Sequence, residues 1–429
     1  MPLNYCSLPL LATCSLITLH ATLEAAERQS PNFIVIFADD LGYGDIGCFN
    51  EECEHETPNL DRMAAEGAML TSFYVPMPYC APSRGTILTG RYPFRHTVVE
   101  NPAPDDGRHQ IGLPASEVTI AEQLKTAGYA TAAIGKWHLG HFPQWLPHTQ
   151  GFDEYFGILY SNDMWPVQLV ERDQVVEYPV VQAGLTHRYT DKAIDFIRRH
   201  QEEPFFIYLP HAMPHKPLAA SEQFYTPETP DDLYSDVIRE LDYEVGRLLD
   251  ELKELGLDEK TMVLFTSDNG AWFGGSNANL RGMKVTNWEG GIRVPLIARY
   301  PGVIPAGVVN TEPAGTIDVL PTICELAGVG SPRDRVIDGR NILPMMQNEG
   351  ADSPHEAIYS MSGGKLASIR VGKWKLHVRS RLTRMFGNLS RRQQENWVDD
   401  RAPDGVSIIA PYEQAKPTDY PGVETGDKP

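Results

Sequence analysis

Asn32-Phe33-Ile34-Val35-Ile36-Phe37-Ala38-Asp39-Asp40 is the stretch on which the fold turns. An unbroken apolar run from Phe33 to Ala38 has no polar face, so it reads as a strand buried on both sides, as in the middle of a parallel sheet. Ligands in open α/β sheets collect beyond the carboxyl ends of the strands, which is where Asp39 and Asp40 stand. Two adjacent carboxylates repel unless a cation or hydrogen bonds compensate them. Leu41-Gly42-Tyr43-Gly44-Asp45 then turns the chain away.

The same grammar recurs outward from this strand. Ala130 to Ile134 delivers Gly135-Lys136-Trp137-His138-Leu139-Gly140, and Phe205 to Leu209 delivers Pro210-His211-Ala212-Met213-Pro214-His215-Lys216-Pro217. Met262 to Thr266 delivers Ser267-Asp268-Asn269-Gly270. Helices are expected between the strands: from a Thr57 cap to about Gly67, from Thr119 to Gly128, Thr190 to His200, Asp231 to Leu255 and Ile317 to Leu326. Strands alternating with helices predict an α/β domain with a mostly parallel sheet.

The chemistry-bearing residues cluster at these strand ends. Asp39, Asp40, Asp268 and Asn269 are all oxygen donors, a set that suits a hard cation such as calcium or magnesium better than zinc. Lys136 offers a fixed positive charge and His138 a group that ordinarily titrates near neutrality. The prolines around His211 and His215 forbid a helix, so their four-residue spacing is not a helical metal motif. Cys80-Ala81-Pro82-Ser83-Arg84 opens a further helix, which places the Cys80 side chain beside unpaired backbone N–H groups and the positive end of the helix dipole.

Cys80-Ala81-Pro82-Ser83-Arg84 followed by Thr89-Gly90-Arg91 resembles the signature of the type I sulfatases, and every fixed position of that signature is present. The Asp39 to Asp45 run, the Gly135 to Gly140 string, Gly151-Phe152-Asp153, the Pro210 to Pro217 loop, Ser267 to Gly270 and Lys284 through Trp288-Glu289-Gly290-Gly291-Ile292-Arg293 resemble further family motifs in the family's order. The variants resemble arylsulfatase and N-acetylgalactosamine-6-sulfatase relatives. The resemblance covers about Asn32 to Val378. It implies an alkaline-phosphatase-like α/β fold, a mixed and mostly parallel sheet sandwiched by helices, with a small C-terminal α+β subdomain.

The resemblance further implies that Cys80 is oxidised to formylglycine by a formylglycine-generating enzyme. Its hydrate would attack the sulfate ester and pass through a covalent sulfo-enzyme hemiacetal. Calcium, with magnesium as second choice, would be held by Asp39, Asp40, the residue at 80, Asp268 and Asn269. Arg84 would steady the hydrate, Lys136, His215 and Lys284 would hold the sulfate, and His138 would act as the base. Ser161 is a further contact candidate, set against a reading of Ser161-Asn162-Asp163 as a plain turn. His211 reads as structural. The expected substrates are sulfated carbohydrates or aryl sulfates. The alternatives are a phosphate or phosphonate monoester hydrolase of the same superfamily and an inactive carbohydrate-binding relative.

The 429 residues are 42% hydrophobic and 22% charged, enough to bury a large core, and the formal charge of −20 argues against nucleic-acid binding. An anionic substrate must therefore be held by local positive charge. Residues 1–26 read as a signal peptide, with no transmembrane span expected in the mature chain, so export to the periplasm or outside the cell is expected ahead of a lysosomal location. Residues 30–345 read as the catalytic domain and 346–429 as a C-terminal antiparallel subdomain, apparently incomplete because the chain stops at Pro429 without the family's final motif. Cys48 and Cys53 are near enough in sequence to pair or to stay separate.

Overall fold

A computed structural model describes Met1 and residues 30–104, 110–164, 167–226, 233–272 and 274–379. The expected signal peptide and the expected end of the C-terminal subdomain, residues 380–429, lie outside the described residues. From Pro31 onward the described residues form one compact unit.

Strand β1 (Asn32–Ala38) is buried along its whole length at the centre of an 11-stranded sheet. It pairs in parallel with β7 (Phe205–Pro210) on one side and β8 (Thr261–Ser267) on the other. Beyond β7 lie β3 (Ala130–Ile134) and β4 (Glu154–Ile158), both parallel, and then the antiparallel β5 (Leu169–Glu171) and β6 (Gln174–Glu177). Beyond β8 lies the antiparallel β9 (Arg293–Arg299), then β2 (Ala68–Tyr74), whose outer edge takes β10 (Val308–Asn310) and β11 (Ala314–Gly315). β2 runs in the direction of β1, so the carboxyl ends of β1, β2, β3, β7 and β8 share one edge.

The apolar runs carry two cores because each strand shows alternate residues to opposite faces. Phe33, Val35 and Phe37 join the layer containing α2 (Cys80–Thr89), α3 (Ile120–Lys125) and α6 (Val319–Leu326). Ile34, Ile36 and Ala38 join the layer containing α1 (Pro58–Ala65), α4 (Leu185–Arg199) and α5 (Leu233–Glu254). The doubly covered parallel sheet of the sequence reading is therefore present.

Local signals fared unevenly. Thr119 caps α3 with a capping box: its hydroxyl accepts from the Glu122 N–H and the Glu122 carboxylate accepts from the Thr119 N–H. Thr57 does not cap α1 with its side chain; its hydroxyl accepts the Gly47 N–H at 2.9 Å and donates to Asp61 instead. α4 begins at Leu185, a turn and a half ahead of the expected Thr190, because Leu185, Tyr189 and Ala193 continue its buried stripe. A separate antiparallel sheet, β12 (Ile358–Ser362), β13 (Lys365–Val371) and β14 (Trp374–His377), matches the expected C-terminal strands. Cys48, Cys53, Cys80 and Cys324 are unpaired. Among the described residues no helix is long and apolar enough to cross a membrane.

Candidate active site

The carboxyl edge of the sheet gathers the residues singled out by sequence. Cys80 is the first residue of α2 and is buried; its thiol donates to Asp39 Oδ1 at 3.3 Å and receives Lys284 Nζ at 3.5 Å. Lys136 Nζ donates to Asp39 Oδ2 and, at 2.9 Å, to Ser161 Oγ. Lys284 Nζ reaches Asp40 Oδ1 at 2.7 Å and Oδ2 at 2.8 Å. Asp39, Asp40, Cys80 and His215 each contribute a possible ligand atom within 4.8 Å of the others. His215, expected at the sulfate, is thus grouped with the carboxylates as well.

Arg84 is buried and tied to the same carboxylates. Its guanidinium donates to the Lys136 carbonyl at 2.7 Å and to Asp268 Oδ2 at 2.9 Å, and lies 3.4 Å from Asp39 Oδ2. It is a buried brace between two carboxylates, and its Nε has no partner among the described residues. Asp268 Oδ1 accepts the Asp40 N–H at 3.1 Å, and the Asp40 backbone takes φ +66, a left-handed conformation. That contact helps hold Asp40 in a conformation rare for a residue with a Cβ.

Asn269 donates through Nδ2 to Asp40 Oδ1 at 2.7 Å, whereas its buried Oδ1 has no partner among the described residues. A buried carbonyl oxygen without a donor is costly unless something else takes it. Together with the carboxylates it forms the donor chemistry that a hard divalent cation needs.

Electrostatics set the protonation states. Burial alone would lift the Asp39 carboxyl, but Lys136, His215, Arg84 and Lys284 hold it well below the usual carboxylate range. Asp268 is raised, by burial and by Asp39, with Arg84 opposing. Burial would weaken the Lys284 ammonium, yet Asp40, Cys80 and Asp39 raise its pKa so that it stays charged. The Cys80 thiol is pushed well up by burial, then by Asp268 and Asp39, so an unmodified Cys80 is a neutral thiol.

The two histidines are resolved by their partners. His215 Nδ1 lies 2.9 Å from Asn162 Oδ1 and 2.6 Å from the Lys216 carbonyl, both acceptors, so it carries the proton and Nε2 is bare, 3.6 Å from Asp40 Oδ2. His138 donates Nε2–H to the Pro102 carbonyl at 3.1 Å, leaving a buried Nδ1 without a partner among the described residues. The expectation that His138 titrates near neutrality is corrected: burial, then Lys136 and Arg84, push it well below the usual histidine value. Ser161, the open candidate, stands between Lys136 and His215, 3.4 Å from the His215 ring. His211 is buried, its ring 6.2 Å from that of Tyr189, and burial lowers it to about 3, in line with a structural place.

Two residues escaped the sequence reading. Asn162 holds the His215 ring through Oδ1 and the His215 carbonyl through Nδ2 at 3.1 Å. Asn101 accepts the Ala81 N–H at 3.0 Å and so satisfies a free donor in the first turn of α2. Asn162 sat in plain view inside the Ser-Asn-Asp cluster; Asn101 carried no local signal.

A match to the Sulfatase family model spans residues 31–329. The chain belongs to the sulfatase family. It is 40% identical to rat N-acetylgalactosamine-6-sulfatase (Rattus norvegicus) over 386 residues, covering 83% of this chain and 73% of that protein. Among solved structures, that of Ps i-CgsB in complex with k-i-k-neocarrahexaose is similar at TM-score 0.73 and 30% identity, covering 82% of this chain and 84% of the other. The PsFucS1 sulfatase from Pseudoalteromonas sp. is similar at TM-score 0.74 and 28% identity, covering 84% of this chain and 80% of its own. This sulfatase is accordingly a hydrolase of sulfate esters.

Proposed function

We propose that this sulfatase removes sulfate from a sulfated carbohydrate, with Cys80 matured to formylglycine and a divalent cation, calcium first, at Asp39, Asp40, Asp268 and Asn269. The observation that carries the reading is the convergence of Cys80, three carboxylates and three cations in one buried centre. The three carboxylates and the Arg84, Lys136 and Lys284 charges nearly cancel, so a bound divalent cation leaves the centre net positive. That local charge is what an anionic ester needs in a chain of formal charge −20.

A formylglycine hydrate supplies two hydroxyls on one carbon, one to attack sulfur and one to let sulfate leave by elimination. The cation would draw charge from the sulfate oxygens. Lys136 and Lys284, fixed on Asp39 and Asp40, neutralise the equatorial oxygens, and Ser161 lies between Lys136 and His215, in reach of the same group. His215 Nε2 and His138 Nδ1 are the bare imidazole nitrogens able to take a proton and return it.

Carbohydrate is favoured as substrate by the likeness to N-acetylgalactosamine-6-sulfatase and to a structure holding a neocarrahexaose. We assign residues 30–345 to the catalytic domain, 346–429 to the C-terminal subdomain and 1–26 to a leader that exports the protein. The test is sulfate release from N-acetylgalactosamine 6-sulfate against phosphate release from the matching phosphate ester, each with and without a chelator. Sulfate release that a chelator abolishes supports the reading. Faster phosphate release, or sulfate release indifferent to the chelator, contradicts it.

A further inference from the structure

A second concentration of positive charge lies on the same edge of the sheet. Glu289 accepts Lys375 Nζ at 2.7 Å and the Tyr74 hydroxyl at 2.8 Å, and lies 3.7 Å from Arg293 and 3.8 Å from Arg370. One carboxylate therefore serves three cations. Arg281 adds a fourth: its guanidinium lies 3.8 Å from the Trp288 ring, is exposed and makes no ion pair among the described residues. The His377 ring lies 4.1 Å from the other partner of this stack, Trp288. Lys375 touches a carboxylate, yet burial and then Arg370 and Arg293 leave its ammonium below the usual lysine value. So much charge served by one carboxylate among the described residues is unexpected in a chain of formal charge −20.

The position matters as much as the charge. Tyr74, at the carboxyl end of β2, pairs with Arg293 at the start of β9, and β9 and β2 are the second and third strands from β1. At about 4.8 Å per strand the cluster is roughly 10–15 Å from Asp39 and Asp40, within reach of the next sugars along a glycan. Arg281 and Trp288 flank Lys284 on one loop. Asn287 on that loop donates to the Met361 carbonyl at 2.9 Å, which ties the loop to the C-terminal sheet carrying Arg370, Lys375 and His377.

We propose that Arg281, Arg370, Lys375 and His377 form a second anion subsite, which binds the sulfate or carboxylate of a sugar next to the one being desulfated. The proposal rests on the sulfated-carbohydrate reading above. Arg281 is the outermost member, and its fork and stacked face suit such a group. An anion there relieves the repulsion that one Glu289 leaves. The subsite makes the enzyme prefer polyanionic chains over isolated sulfated sugars.

The experiment compares the wild-type chain with Arg281→Ala on four sulfate esters. These are an aryl sulfate and three oligosaccharides sharing the scissile sulfate, whose neighbouring sugar is neutral, a uronate or a second sulfate ester. Loss of one charge-assisted contact raises KM for the anionic oligosaccharides about tenfold, leaving kcat unchanged and the aryl and neutral substrates unaffected. The uronate and sulfate arms tell which anion is held. In the wild type, KM for the anionic oligosaccharides also rises more steeply with salt than KM for the neutral one. Equal effects of Arg281→Ala on neutral and anionic substrates, or none, overturn the subsite and leave the cluster as a clamp for the C-terminal sheet. Failure of the wild type to cleave any of the four overturns the parent reading instead.

Discussion

Cys80 as encoded is a poor nucleophile. Its neutral thiol sits in a buried carboxylate-rich corner, and a sulfo-enzyme formed on a plain thiol or hydroxyl has no second hydroxyl to drive elimination. Cys80→Ser is therefore expected to lower kcat by about a thousandfold or more and to trap a sulfo-adduct of about 80 Da, read by intact mass. A Cys80→Ser protein that turns over would contradict this. Asn162 belongs to the same scale, since it holds both the His215 ring and the His215 carbonyl. Asn162→Ala should lower kcat about 10- to 100-fold with a smaller change in KM, and Asn162→Asp should recover part of it. Equal kcat in wild type and Asn162→Ala would remove His215 from the proton-handling group. The strand-end motifs made Asp39, Asp40, Lys136 and Asp268 legible in sequence because each stands one or two residues past an apolar run. Asn101 and the brace formed by Arg84 were not legible. Their partners lie 20 and up to 184 residues away, and only the packed sheet brings them together.

At the scale of elements, the site depends on how closely strand ends can approach. Gly135 follows β3 with φ +130, and a Cβ there would sit 1.9 Å from the Pro210 carbonyl at the end of β7. The next residue, Lys136, donates its N–H to that same carbonyl at 2.7 Å. Gly135→Ala should cost at least about 2 kcal/mol in urea unfolding and reduce kcat, because β3, β7 and Lys136 must shift together. A variant with wild-type stability would show that the loop tolerates a side chain. The sequence predicted β1, β3, β7 and β8, whose apolar runs are continuous, but not β4, β5, β6, β9, β10 or β11, of which β5, β6, β10 and β11 are only two to four residues long. It misplaced what polar residues decide: Thr57 was expected to cap α1, but a tertiary contact to Gly47 took its hydroxyl first. The early start of α4 was hidden because the buried stripe before Thr190 is interleaved with polar residues.

For the whole molecule, buried titratable groups outside the site govern acid stability. Burial lowers His96 and His211 to about 3 in the folded chain, so each contributes stability above pH 6.5 that is lost as pH falls toward 3. Glu240 runs the other way: burial raises it to about 7, and its penalty is relieved as pH falls from 7 to 4.5. His138 adds to the loss, so unfolding free energy should fall as pH drops below 6.5 and fall faster below 4.5, where Glu240 no longer opposes the histidines. Urea midpoints that do not move between pH 6.5 and 4.5 would contradict this balance.

The central claim is that sulfate esters are cleaved by an oxidised Cys80 in a cation-bearing centre. Peptide mass spectrometry across Cys80, on active protein made with a formylglycine-generating enzyme, tests it most directly. The expected result is a loss of about 18 Da at Cys80, the thiol replaced by an aldehyde. An unmodified Cys80 thiol in protein that releases sulfate would contradict the account.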